Sequence, residues 1–256
     1  MNIASAAERV DSAALNAIAI EQISANEPLS VREAYEIQRA SIERRRQRGE
    51  RTIGLKLGFT SRAKMVQMGV DSLIWGWLTD SMLEEDGAPV DLGRFIHPRV
   101  EPEVCFLTKR DITGPLTALE ARSYLDVVAP AMEIIDSRYR NFKFSLEDVI
   151  ADNCSSSGLV VGAWSTRFDD LRNASVLMRF DGREVQLGST GAILGNPLRS
   201  VVQASRLASD AQIVLPAGTL VMAGAATAAQ ALTTGLHVQC SVSGLGHVEF
   251  TTSGNA

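Results

Sequence analysis

Two glutamates interrupt an apolar stretch in the first half of the chain. Glu101 and Glu103 lie in residues 100–107, where most of the other side chains are Val, Phe, Leu or Cys. Such a run predicts a β-strand, and side chains two positions apart in a strand point to the same face. Because neighbouring carboxylates repel each other, the pattern is favoured either by a cation between them or by contact of that face with water.

A second apolar run of strand type contains Glu133 as the only acid between Met132 and Ile135. This third carboxylate would complete a site with Glu101 and Glu103. Three carboxylates and water suit Mg²⁺ or Mn²⁺ better than Zn²⁺. The alternative is the solvated outer face of an amphipathic strand, with a proline between the first two glutamates marking a sheet edge. Spacing alone leaves both interpretations open.

Composition restricts the class of protein. With 256 residues, 45% of them hydrophobic, the chain can bury the core of one large domain or two small ones. A formal net charge of -5 disfavours a nucleic-acid surface. The three cysteines are scattered and odd in number, which disfavours a disulfide framework and favours a reducing compartment. The first residues resemble neither a signal peptide nor a membrane span, so we predict a cytoplasmic protein.

Local patterns predict an α+β fold. An Ala-rich stretch from residue 4 to about 24 and a capping box at Ser30 and Glu33 indicate helices in an N-terminal part, residues 1–50. We predict a β-rich domain over residues 51–256 as one structural unit. It includes a helix over residues 117–128 and a hairpin at Asp181-Gly182.

Lys56 is the single charge in the apolar run at residues 52–59. Burial of an ammonium without a partner is expensive, so Lys56 either belongs to a site or extends to water. Other chemistry has no support: the sequence contains no Walker-type loop, dinucleotide fingerprint or nucleophile elbow. The three histidines are too scattered to indicate a catalytic triad.

Five segments together resemble the fumarylacetoacetate hydrolase superfamily: residues 54–61, 65–70, 98–103, 132–138 and 151–153. The resemblance extends from about residue 28 to residue 250. It is strongest to the branch of 2-hydroxypentadienoate hydratases and 4-oxalocrotonate decarboxylases that serve the meta-cleavage of aromatic compounds. Several ordered motifs are more specific than any one of them.

Within that branch, residues 64–70 and 135–144 resemble the decarboxylases, whereas the hydratases typically carry Gly in place of Asp136. The chain departs from the usual pattern at three positions, Pro102, Ala223 and Ala225. These departures leave the three glutamates intact.

The resemblance implies a mixed β-sandwich-like roll with an N-terminal helical part. It also implies Mg²⁺ or Mn²⁺ held by Glu101, Glu103 and Glu133, and a 2-oxo dicarboxylate substrate. The implied reaction is decarboxylation of 2-oxohex-3-enedioate (4-oxalocrotonate) to 2-hydroxypenta-2,4-dienoate and CO₂. Alternatives are hydration of 2-hydroxypenta-2,4-dienoate, hydrolysis of acylpyruvates, and a non-catalytic scaffold subunit.

The resemblance further assigns roles to individual side chains. Lys56 is expected to donate hydrogen bonds to charged oxygens of the substrate, and Arg138 and Lys143 to hold the distal carboxylate. Asp80 and Ser155 are expected to relay a proton or orient water, or else to cap turns. Residues 61–73 are expected to form a lid that excludes water. The expected partners are other copies of the chain and a 2-hydroxypentadienoate hydratase, and neither nucleic acid nor membrane.

Overall fold

A computed structural model describes residues 1–25, 27–61, 65–66, 72–168 and 171–254. The predicted lid lies mostly outside the described residues. Two long helices come first, α1 (Ile3–Asn16) and α2 (Val31–Gln47). Helix α1 ends before the predicted boundary near residue 24, because Ala17 takes a left-handed conformation and donates its amide to the last turn. The capping box predicted for α2 is present.

One sheet carries the functional residues. Its strands, numbered along the whole chain, are β1 (Thr52–Gly58), β2 (Ile74–Thr79), β3 (Leu83–Glu84), β5 (Arg99–Thr108), β6 (Leu125–Ile135), β7 (Ser156–Val161), β10 (Leu220–Met222) and β11 (Gln230–Ala231). Among the described residues their order is β2-β1-β10-β5-β6-β7-β3, and β11 pairs with the start of β5. Strands β5 and β6 are antiparallel neighbours inside this sheet.

The second sheet covers one face of the first. It consists of β4 (Pro89–Asp91), β8 (Ser175–Phe180), β9 (Arg183–Ser189), β12 (His237–Val242) and β13 (Gly246–Ser253), in the order β4-β13-β12-β8-β9. The predicted Asp181-Gly182 hairpin is confirmed, since both residues have the positive φ that this two-residue turn requires. Three shorter α-helices lie further along the chain, α3 (Ala118–Ala121), α4 (Leu146–Ala151) and α5 (Leu198–Asp210).

The core shows which face of β5 is apolar. Val100, Val104 and Phe106 pack in the main hydrophobic cluster with Val238 and Phe250 of the second sheet. Because side chains alternate along a strand, the odd-numbered residues of β5 point to the opposite face. The predicted α+β class is confirmed, and the fold directs Glu101 and Glu103 away from the core between the sheets.

The predicted helix over residues 117–128 is wrong after its first turn. Thr117 does form a capping box with Glu120, but α3 ends at Ala121. Leu125 begins β6, which pairs along β5 from Thr108 to Arg99. Pairing with a neighbouring strand thus overrides the local preference for helix, an effect that a single sequence does not reveal.

Candidate metal and substrate site

The strand register brings the three predicted carboxylates together. Glu101 lies directly opposite Glu133 across the β5 and β6 pair, and Glu103 is two residues further along β5. One carboxylate oxygen from each of the three lies within 4.8 Å of the other two. All three residues are buried, with exposed fractions of 5%, 1% and 0% for Glu101, Glu103 and Glu133. The alternative of a solvated face at a sheet edge is therefore wrong.

Among the described residues, Lys56 brings a positive charge to this cluster. Its side chain is buried, and Nζ lies 3.0 Å from Oε2 of Glu133. Burial alone would lower the pKa of Lys56, but the combined attraction of the surrounding anionic groups, with Glu133 the strongest and Glu101 and Glu103 adding to it, outweighs burial and raises the pKa above its ordinary value. The ammonium thus stays protonated at neutral pH.

The glutamates respond in the opposite way. Burial raises the pKa of Glu103 well above its usual range, and repulsion by Glu133 raises it further. Burial likewise raises the pKa of Glu133, although Lys56 partly opposes this. The amide of Gly224 donates to Oε2 of Glu103 at 2.7 Å. Gly224 has a φ of +105°, and a side chain there would overlap Thr60, so this close approach requires glycine.

These residues fit a hard divalent cation. Together the three carboxylates and the Lys56 ammonium carry a formal charge of −2. Oε1 of Glu103 and Oε1 of Glu133 are buried and accept no hydrogen bond from the described residues. A buried acceptor without a partner is unfavourable, whereas Mg²⁺ and Mn²⁺ prefer carboxylate oxygens. Both the charge and the unpartnered oxygens match such an ion.

A cavity of about 300 Å³ opens beside the cluster. Its polar lining includes Lys56, Glu101 and Ser155, and its apolar lining includes Phe142 and Phe144. A cavity of this size and mixed lining suits a small organic acid whose one end reaches the carboxylates.

Ser155 reaches the cavity through an unusual turn. Asn153, Cys154 and Ser155 all have positive φ, between 48° and 60°. Three such non-glycine residues in a row are strained, and the surrounding structure must hold them. The Asn153 side chain does so by accepting from the Trp77 amide at 2.8 Å and donating to the Trp77 carbonyl at 2.9 Å. The buried Ser155 hydroxyl then has no hydrogen-bond partner among the described residues.

Asp80 is not part of this site. Its carboxylate accepts from the backbone amide and from Nε of Arg51, each at 2.9 Å. Arg51 directly precedes β1 and Asp80 directly follows β2, and neither residue lines the cavity that Lys56 lines. The predicted proton relay by Asp80 is corrected: the residue anchors the β1 and β2 edge by an exposed ion pair.

Arg138 and Lys143 also lie away from the cavity. The guanidinium of Arg138 is buried against Asp152, and it donates to the Asp152 carbonyl and to Ser157. It lines a different cavity. Lys143 is exposed and extended, while the phenylalanines on either side of it line the cavity. Lys143 itself is not among the residues that line the cavity.

The sequence interpretation missed Arg99. This residue is at the start of β5, two positions before Glu101, and it lines the same cavity. The signal was available, since Arg99, Glu101 and Glu103 share the alternation that already placed the two glutamates on one face.

The sequence model described as fumarylacetoacetate (FAA) hydrolase C-terminal matches residues 52–252. The chain belongs to the fumarylacetoacetate hydrolase family. The chain is 54% identical to a 4-oxalocrotonate decarboxylase from a Pseudomonas species, over 99% of each of the two chains. A member of the family with a solved structure, 4-oxalocrotonate decarboxylase from Pseudomonas putida G7 complexed with magnesium and adipate, is 37% identical. It superposes with a TM-score of 0.93, covering 98% of this chain and 97% of the other. These findings confirm the predicted family.

Similarity to hydratases of the family is weaker. A 2-hydroxypent-2,4-dienoate hydratase from Pseudomonas putida is 36% identical, over 68% of this chain and 80% of the relative. The comparisons thus favour the decarboxylases over the hydratases.

Proposed function

We propose that this chain catalyses the metal-dependent decarboxylation of 2-oxohex-3-enedioate to 2-hydroxypenta-2,4-dienoate and CO₂. The observation that carries the proposal is the buried set of Glu101, Glu103, Glu133 and Lys56 beside a small cavity, in a chain 54% identical to a 4-oxalocrotonate decarboxylase.

In this reaction the bond between C5 and C6 breaks, and C6 leaves as CO₂. The electron pair of that bond forms a double bond between C4 and C5, the former C3–C4 double bond moves to C2–C3, and negative charge develops on the 2-oxygen. A proton taken up by that oxygen completes 2-hydroxypenta-2,4-dienoate. A catalyst must therefore stabilise negative charge at the 2-oxygen.

Glu101, Glu103 and Glu133 would hold the ion. Mg²⁺ or Mn²⁺, when bound, supplies Lewis acidity to the 2-oxo acid end of the substrate. The three carboxylates would keep that ion at the cavity beside Lys56.

Lys56 and Ser155 act on the same end of the substrate. The permanently charged Lys56 ammonium donates a hydrogen bond to the developing oxyanion, and its buried position strengthens that interaction. The Ser155 hydroxyl donates at the mouth of the 153–155 turn and orients the proton that the 2-oxygen takes up. The aromatic lining at Phe142 and Phe144 excludes water, which favours release of CO₂ over addition of water to the dienol.

The test is CO₂ release from 2-oxohex-3-enedioate with Mg²⁺ and after chelation, with Glu103→Gln beside the wild type. Glu184→Gln is the matched control, because Glu184 is an exposed acid of β9 in the other sheet. The proposal expects Mg²⁺-dependent CO₂ release that Glu103→Gln loses and Glu184→Gln keeps. Absence of CO₂ from the wild type would refute it.

Hydration of 2-hydroxypenta-2,4-dienoate is the second candidate, supported by the weaker similarity to hydratases. It requires the same carboxylates but consumes the dienol and releases no CO₂. A preparation that consumes the dienol without prior CO₂ release would establish this candidate. A scaffold subunit without activity would bind no Mg²⁺ at the cluster.

We also propose a cytoplasmic protein that forms homo-oligomers and associates with a 2-hydroxypentadienoate hydratase. The three buried free cysteines agree with a reducing compartment. In the described part of the chain, every helix is too short or too polar to cross a membrane. Analytical ultracentrifugation of the chain alone and with a hydratase tests both kinds of assembly. The chain alone at its monomer mass would contradict the homo-oligomer, and two species in the mixture that sediment as each protein does alone would contradict the complex.

A further inference from the structure

Arg99 continues the row of functional side chains along β5. Its side chain shares the face of Glu101 and Glu103, because the intervening Val100 packs in the core between the sheets. The burial of this row changes along the strand: Glu101 and Glu103 are buried, whereas Arg99 is exposed. Arg99 therefore stands at the outer end of the cavity and the carboxylate cluster at its inner end.

An aromatic ring holds the guanidinium of Arg99. Its Cζ lies 4.6 Å from the ring centroid of Phe142, a cation–π contact. The His97 ring is 5.1 Å from the same centroid. The segment before Arg99 is fixed by Asp136, which accepts from the amides of Ile96 and His97 at 2.8 Å each. Arg99 thus projects from a rigid position.

The donors of Arg99 are available to a ligand. In the described residues no carboxylate forms an ion pair with Arg99 and no acceptor takes a hydrogen bond from its guanidinium. By contrast, the neighbouring arginines Arg94 and Arg138 are both paired with acids. A planar guanidinium with free donors at a cavity mouth is suited to a carboxylate.

The spacing matches a six-carbon dicarboxylate. Two residues of β-strand separate the Cα atoms of Arg99 and Glu101 by about 6.6 Å. An extended six-carbon chain spans about 6 Å between its end carbons, from ordinary bond lengths and angles. A 2-oxo dicarboxylate with its oxo acid end at the glutamates therefore has its distal carboxylate at the level of Arg99.

We propose that Arg99 determines specificity by binding the distal carboxylate of a 2-oxo dicarboxylate. The inference rests on the proposed function in one respect: the 2-oxo acid end of the ligand has to bind at the three glutamates. Binding of the distal carboxylate at the exposed mouth stabilises the enzyme–substrate complex as much as the transition state. Arg99 therefore lowers KM and does not raise kcat. After the carboxylate becomes neutral CO₂, the Phe142 ring and water still stabilise the guanidinium, which limits the cost of losing that ion pair.

The test compares two ligands that differ only at the distal end, 2-oxoadipate and 2-oxohexanoate. Their affinities for the full-length protein with Mg²⁺ are measured by calorimetry, which requires no turnover. A charged hydrogen-bonded pair at this site predicts a wild-type preference for 2-oxoadipate of about 10- to 100-fold. Arg99→Gln should reduce this preference to less than about 3-fold, and Arg99→Lys, which keeps the charge, should retain part of it.

Arg183→Gln is the matched control, because Arg183 is an exposed arginine of β9 in the second sheet. It should keep the full preference. Thermal unfolding checks that each variant folds. Equal affinity of the wild type for the two ligands, or an unchanged preference in folded Arg99→Gln, would overturn the inference. A preference that depends on Arg99 in a protein that releases no CO₂ would refute the proposed reaction and leave this inference standing.

Discussion

Replacement of Glu103 by Gln should change metal affinity and stability in opposite directions. Glu103 is almost fully buried, and one of its oxygens accepts from Gly224 while the other has no described hydrogen-bond donor. Glutamine has nearly the same shape and keeps an oxygen for Gly224. The substitution therefore removes one negative charge with little change in packing.

The loss of a metal ligand should weaken Mg²⁺ binding by at least about 100-fold. Even mutation of a residue that only hydrogen-bonds to a metal ligand lowers metal affinity by about 10- to 100-fold. Without metal, the same substitution removes a repelled buried carboxylate, whose burial costs about 1–3 kcal/mol when it lacks a partner. For a chain of this size that predicts a rise of roughly 2–12 °C in the Tm of the metal-free protein.

Calorimetric titration with Mg²⁺ and thermal unfolding after chelation measure the two effects. Glu184→Gln again serves as the control and should change neither quantity, because it removes an exposed charge of the second sheet. Mg²⁺ affinity within about 3-fold of the wild type, or a lower Tm of the metal-free Glu103→Gln protein, would show that the three carboxylates do not form a strained cation site.

Three further predictions concern the same site. Lys56→Met should lower kcat for CO₂ release by about 10²- to 10³-fold, because it removes a donor to the developing oxyanion, and an unchanged kcat would exclude that role. Lys143→Gln should change KM for the dicarboxylate by less than about 2-fold, as for an ordinary exposed charge, and a tenfold rise in steady-state KM would return Lys143 to the substrate site. The pKa values of Glu103 and Glu133 are raised in the folded chain, so the folded state binds protons more tightly than the unfolded state. The Tm of the metal-free protein should therefore fall as pH rises from the ordinary glutamate pKa toward these raised values, and Mg²⁺ should reduce this fall; a Tm that rises over this interval would contradict the raised pKa values.

The sequence predicted the features that depend on local chemistry. The common face of Glu101 and Glu103 follows from the two-residue period of a strand, and the capping box at Ser30 from neighbouring residues. The approach of Glu133 depends on the register between β5 and β6, which local pattern does not determine. The strand pattern offered that contact as one of two alternatives, and the family resemblance favoured it; the comparisons confirm the family and agree with the predicted activity.

The errors arose where a distant residue decides the outcome. Arg138 has the chemistry of a carboxylate anchor, but Asp152 and Ser157 occupy its donors. Asp80 is engaged in the same way by Arg51. The helix predicted over residues 117–128 was displaced because residues 125–128 pair as part of a strand. In each case the local sequence pattern was present, but a contact with a residue distant in sequence determined the structure that formed.

The most direct test of the proposed function is the fate of C6 in 2-oxohex-3-enedioate. Substrate labelled with ¹³C at C6 is incubated with the protein and Mg²⁺ and followed by ¹³C NMR. We expect the label to appear as CO₂ and bicarbonate in step with unlabelled 2-hydroxypenta-2,4-dienoate, with no release in Glu103→Gln. Retention of the label in a six-carbon product would contradict decarboxylation at this carboxylate cluster.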